Sequence, residues 1–265
     1  MRKVLGMLLL TIPMSLFAQS AFNGIWRIND DKWQLDTKPD VYELKDGMFS
    51  CLSCVPKVSV KADGTDQKLT GNPEIDTESV KIVDPNTIEV IAKKDGRVTF
   101  QAMAKVSSDG KMLERHVDGY TTDGTKSSFS TELARSGEAE TGAHAISGSW
   151  IPQKTGASDP MTLTFVSTGD GLKFTGSDGE AYNIKFDGKD YPFKGGAGTA
   201  VVSVKRIDAN TIEESYKAGD GTVLYVSRLS VSPDGKSLTQ VGQDKRAGRT
   251  NTFVADKQET AEAEK

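Results

Sequence analysis

The feature that most constrains this chain is that it is written twice. Phe22–Trp26 (FNGIW) answers to Ile146–Trp150 (ISGSW), an offset of 124 residues. Val58–Asp66 (VSVKADGTD) answers to Tyr182–Asp190 (YNIKFDGKD) at the same offset, and Ser79–Val90 (SVKIVDPNTIEV) to Ser203–Glu214 (SVKRIDANTIEE). After one inserted glycine, Gly219, Val106–Leu113 (VSSDGKML) answers to Val231–Leu238 (VSPDGKSL) at 125. Solenoid repeats run at about 20–50 residues, so two units of this size mean two tandem domains rather than a solenoid.

Each unit reads as antiparallel strands. Val98, Phe100, Ala102, Ala104 and Val106 alternate with polar or exposed-type neighbours, and Val223, Tyr225, Ser227, Leu229 and Val231 repeat the pattern in the second unit. A period of two marks a sheet with one buried face. Asp-Gly pairs at Asp46-Gly47, Asp63-Gly64, Asp95-Gly96 and Asp109-Gly110, matched by Asp170-Gly171, Asp187-Gly188, Asp220-Gly221 and Asp234-Gly235, punctuate the strands. Such pairs favour hairpins because both turn positions tolerate positive φ. The expectation is an all-β chain of eight or nine strands per unit, forming two tandem up-and-down barrels, with two β-sandwiches as the alternative. The boundaries read 21–134 for the first barrel, 135–147 for a small, polar linker, 148–255 for the second barrel and 256–265 for a charged tail.

The first 20 residues have the form of a secretory signal: Arg2 and Lys3, an apolar stretch from Val4 to Phe17, and Ala18-Gln19-Ser20 as a small-x-small cleavage pattern. That stretch is short for a membrane span, which needs roughly 20 apolar residues, and no later segment reaches such a length. The expectation is an exported protein, periplasmic or extracellular, with no span in the mature chain. Without residues 1–20 the formal charge moves from −4 to −6, because two cations leave and no acid does. An acidic surface without a basic block argues against nucleic-acid partners.

The Gly-x-Trp of NGIW and SGSW, placed on the first strand of each meander, resembles the lipocalin-like superfamily. That resemblance implies a tryptophan packed at the closed end of a barrel, beneath a basic residue from the last strand. Arg135 would cover Trp26, and Lys257 would cover Trp150. The stretch from FDGKDYPFKGG through SVKRIDANTIEE to RLSVSPDGKSLT is similar to a group of secreted bacterial proteins of unknown function, whose domains are described as lipocalin-like. The similarity covers nearly the whole mature chain and implies architecture, not an activity.

No catalytic motif stands out. The two histidines, His116 and His144, fall in a strand and in the linker, and no Gly-x-Ser-x-Gly elbow, phosphate loop or zinc signature is present. DGTD and DGKD read as hairpin turns; calcium would need six to eight oxygens gathered in one place. No catalytic residue, metal or cofactor is therefore expected. The small Ala102 and Ala104 at the middle of a barrel strand, bordered by Phe100, leave room for opposing side chains or for a small, partly apolar ligand; Ser227 and Tyr225 hold the matching places. Strand register puts Glu214 on the inward face, where it would need a partner or a raised pKa, while a one-residue slip would turn it to water. The readings that follow are a non-enzymatic ligand binder, an interaction module of the cell envelope, or a thiol–disulfide protein.

Cys51 and Cys54 (FSCLSC) are the only cysteines. At a constant offset of 124 they face Thr175 and Asp178, in the turn TGSDG, so they occupy the first and fourth positions of a hairpin turn. Those positions lie within about 7 Å, which suits a disulfide. Export favours the bond, while a redox-labile pair or half of a metal site remain the alternatives.

Overall fold

The computed structural model describes residues 20–196 and 198–259; the expected signal segment, apart from Ser20, and the end of the charged tail lie outside them. The described residues hold twenty strands and no helix, arranged as two ten-stranded antiparallel sheets. One sheet runs through β2 (Asp40–Lys45), β3 (Met48–Cys51), β4 (Val58–Lys61), β5 (Gln67–Lys68), β6 (Thr77–Asp84), β7 (Thr87–Lys94), β8 (Arg97–Val106), β9 (Met112–Tyr120), β10 (Lys126–Ser136) and β11 (Gly148–Ala157). We call it barrel one. Its order is β4-β3-β2-β11-β10-β9-β8-β7-β6-β5, and its edges approach each other through an isolated bridge between Asp63 and Lys81.

The other sheet, barrel two, is closed. It contains β12 (Thr162–Ser167), β13 (Gly171–Gly176), β14 (Ala181–Lys185), β15 (Tyr191–Lys194), β16 (Val201–Arg206), β17 (Thr211–Lys217), β18 (Val223–Val231), β19 (Ser237–Asp244) and β20 (Thr250–Lys257). Its tenth strand is β1 (Gly24–Gln34), which comes from the first repeat and pairs with β12 on one side and β20 on the other. Reciprocally, β11 of the second repeat pairs with β10 and β2 of the first. The two repeats have exchanged their first strands, as in domain swapping but within one chain. The segment expected to link two domains is instead a connection inside barrel one: β10 runs on to Ser136, and β11 folds back against it.

The exchange reverses the expected pairing of tryptophans and cations. Arg135 lies 4.1 Å over the ring of Trp150, and the Lys257 ammonium lies 4.9 Å over Trp26. Both indoles are fully buried, and their N–H groups donate to Ile146 O and Phe22 O, each at 2.8 Å. Arg135 also donates to the carbonyls of Gly110, Ala145 and Ser147, which satisfies its donors on one side of the ring. The glycine of Gly-x-Trp makes this possible. Gly148 has φ 128°, and a Cβ there would stand 2.5 Å from Arg135 Nη1; at Gly24, φ 125°, it would meet Lys257 Cε at 3.0 Å.

Most turns follow the Asp-Gly signals, but Asp63-Gly64, expected to close a hairpin, instead joins β4 to β5, the two edges of barrel one, which do not pair. Asp46-Gly47 and Asp95-Gly96 have positive φ at both positions and close two-residue hairpins between β2 and β3 and between β7 and β8. At Thr168–Gly171 the positive φ belongs to Gly169, and Gly171 already begins β13. Bulges also shift the alternation of β8 and β18: Thr99 is the extra residue in one and Leu224 in the other. This turns Val98 outward and buries Leu224.

Candidate functional site

The repeat makes each barrel a control for the other, because cross-strand registers identify equivalent rungs. Val90 pairs with Ala102 in barrel one where Glu214 pairs with Ser227 in barrel two. Ile88–Ala104 answers to Ile212–Leu229, and Ala92–Phe100 to Tyr216–Tyr225. On the opposite wall Cys51 pairs with Val58 where Phe174 pairs with Tyr182. That last equivalence corrects the constant offset: over β2 and β3 it is 123, so Cys51 stands where barrel two has Phe174, not Thr175. Between the paired rungs, Phe174 to Tyr182 encloses one residue more than Cys51 to Val58, which hides the shift in a plain alignment.

At several inward rungs barrel one carries the smaller side chain, while at others it carries the larger, as with Val117 for Gly242 and Leu133 for Ala255. Barrel two fills its bore with rings: Phe165, Phe174 and Tyr182 stand 5.0–5.2 Å apart in succession, and Phe193, Tyr216 and Tyr225 form a second cluster. Barrel one has Cys51, Val58 and Ala92 at the places of Phe174, Tyr182 and Tyr216. The volume so released is a cavity of about 330 Å³, lined by Phe49, Ile88, Val90, Ala102, Ala104 and Val117 among others. That lies within the range of small-molecule pockets. It opens into a second cavity of about 420 Å³, which shares Tyr42, Cys51, Cys54, Glu78, Phe100 and Arg115 with it. The outer cavity is walled on its far side by Asp244, Arg246 and Arg249 from the end of barrel two. Arg246 to Glu74 and Arg249 to Asp40 (2.8 Å) tie the two barrel mouths together.

The Cys51–Cys54 disulfide is formed, with a Cα–Cα distance of 5.4 Å. Cys51 is buried and faces the bore, while Cys54 is exposed at the rim. The bridge is thus part of the cavity wall, and neither sulfur is a free thiol in this state.

The charged groups inside barrel one differ in how well they are partnered. Arg115, on the rung of Ala104, donates to Asp40 Oδ2 and to the Tyr42 hydroxyl, each at 2.8 Å. Asp40 also accepts from Arg249. Glu78, on the rung of Ala92 and Phe100, is 6% exposed and has no hydrogen-bond or ion-pair partner among the described residues. Burial pushes its carboxyl up to about 7. In barrel two Glu214 does face inward. It accepts from the Tyr182 and Tyr216 hydroxyls, and burial raises it to about 7 against those two hydrogen bonds. Ser227 beside it is fully buried, its hydroxyl without a partner. Tyr225 lines a third cavity of about 370 Å³ at the mouth of barrel two, with Glu180, which burial and then Asp178 and Glu214 push to about 8.

Of the residues singled out from sequence, Phe100, Ala102, Ala104, Cys51 and Cys54 come together in one cavity wall. Glu214, Tyr225 and Ser227 belong to barrel two, where Tyr225 lines the cavity at the mouth, and the tryptophans with their cations sit at the closed ends. Sequence reasoning missed Glu78, Arg115, Asp40 and Tyr42. His116 Nδ1 lies 3.1 Å from Ser130 Oγ, and its Nε2 lies 3.4 Å from Asp118. This trio is on the outer face of the sheet, opposite exposed Met103, and Asp118 is already held by Lys126 and Ser128. No protein-family model matches the chain, and no curated protein sequence does either.

Proposed function

We propose that this chain is an exported, non-enzymatic binding protein that takes a small, partly apolar ligand into barrel one, and that it belongs with the secreted lipocalin-like proteins its repeats resemble. The observation that carries the binding reading is the contrast between equivalent rungs. Where barrel two has Phe174, Tyr182 and Tyr216, barrel one has Cys51, Val58 and Ala92, and about 330 Å³ of largely apolar space results. A core under selection for stability alone has reason to fill such space, since an unfilled cavity costs about 24 cal/mol per Å³. Barrel two supplies the scaffold that closes the outer mouth, through Arg246 and Arg249. The alternative readings, an envelope interaction module and a thiol–disulfide role, have no observation of this kind behind them.

Titration of the full chain with octanol, followed by calorimetry and by NMR of labelled methyls, tests the reading. Saturable binding of one molecule per chain, lost in Ala102→Phe, is expected. No saturable binding of octanol or of its amine and acid analogues would overturn it.

A further inference from the structure

The cavity in barrel one has one feature that its apolar lining does not explain. Glu78 stands at the junction of the inner and outer cavities, nine-tenths buried, with no partner. A buried carboxylate without a donor is costly, and such groups are normally paired. In barrel two the corresponding residue is Val202, fully buried against Tyr216. The change is therefore double: an acid replaces valine on one strand, and Ala92 removes the ring beside it. Together they present a carboxylate to open space.

Each cation nearby already has a carboxylate partner other than Glu78. Arg115 gives its Nη1 to Asp40 and Tyr42, Arg249 is held by Asp40 and by the carbonyls of Lys38 and Pro39, and Arg246 is held by Glu74 and Asn72. Asp36 accepts from the backbone of Thr250 and Lys38. Among the carboxylates that line the two cavities, Glu78 alone has no partner among the described residues; Arg246 Nε, on the wall of the outer cavity, is also buried without one. Below it the bore runs past Ala102 to Ala104, four residues of β8 from Phe100, or about 13 Å at roughly 3.3 Å per residue.

Resting on the binding reading above, we infer that Glu78 is the polar anchor of the site, and that the ligand is an amphiphile carrying an amine or another N–H donor at the head of an apolar chain. The head pairs with Glu78 at the junction, and the chain lies along Phe49, Ile88, Val90 and Val117. A charge-assisted hydrogen bond in such a setting is worth about tenfold or more in affinity over a neutral head.

The test compares octylamine, octanol and octanoate on the wild-type chain and on Glu78→Gln, by calorimetry at neutral pH. Octylamine binding at least tenfold tighter than octanol to wild type, with the preference abolished and octanol binding retained in Glu78→Gln, is the expected result. Octanol binding as well as octylamine, or octanoate binding best, would overturn the inference while leaving the binding reading intact. Failure of all three probes on wild type would sink the binding reading itself. The wild-type comparison decides the matter alone if Glu78→Gln does not fold, and Ala102→Phe, which blocks the bore without touching Glu78, must lose all three probes.

Discussion

Replacing Trp26 with alanine should loosen the barrel built mostly from the other repeat. Trp26 is fully buried, and a buried tryptophan removes about 150–250 Å² from water. At about 25 cal/mol per Å² that is roughly 4–6 kcal/mol, in line with the 3–5 kcal/mol typical of Trp→Ala in cores. The variant also loses the indole hydrogen bond to Phe22 O and the overlying Lys257. Taking about 4 kcal/mol, and about 1.4 kcal/mol per factor of ten, amide exchange through local opening should speed by about a thousandfold in the strands that Trp26 staples. Those strands are β12 and β20, within 162–167 and 250–257. Trp150→Ala should do the same to β2 and β10. Hydrogen exchange read by mass spectrometry resolves these segments. If Trp26→Ala instead speeds exchange in β2 and β10 and leaves β12 and β20 protected, the strand exchange is wrong.

Other consequences can be checked more simply. Ala102→Leu adds three carbons inside barrel one and should raise stability by up to about 2 kcal/mol, at about 0.8 kcal/mol per carbon, while weakening octanol binding; chemical denaturation and calorimetry read both. Ser227→Ala removes a buried hydroxyl that has no partner and should stabilise barrel two by about 1 kcal/mol in the same denaturation assay. Reducing the disulfide should cost at most about 2 kcal/mol, because the loop it closes is so short, and should leave exchange in barrel two unchanged. Glu78 and Glu214 each titrate near 7 in the fold instead of 4.5, so the folded state holds their protons more tightly than the unfolded chain does. Their contribution is complete below about pH 4.5 and is lost as the pH rises through about 7, a fall of a few kcal/mol that Glu78→Gln and Glu214→Gln should each flatten.

Much of the architecture was legible because strand alternation and Asp-Gly turns are local. Which copy a first strand would join was not. The two repeats offer β1 and β11 almost the same partners, and the choice lies in how the chain leaves β10, where Gly137–Ser147 lets β11 fold back onto its neighbour. The same limit hid the register of the cysteines. No similar block spans β2 and β3, so a one-residue shift left no trace except the alternation Phe49, Cys51, which places both side chains inward. The signals for Glu78 and Arg115 were present. Glu78 shares a face with Val80, and Arg115 lies between inward Leu113 and Val117. A charge in that phase of a strand reads as a register error until the cavity around it is seen.

The central claim is that barrel one accepts an apolar guest where barrel two is filled by its own aromatic rings. Xenon enters apolar cavities and reports them without any assumption about the natural ligand. Methyl spectra of the full chain under xenon pressure should show saturable shifts at Val90, Ala102, Ala104 and Val117 and none at Val202, Val204 or Leu229. Shifts of equal size in both barrels, or none in barrel one, would contradict the account.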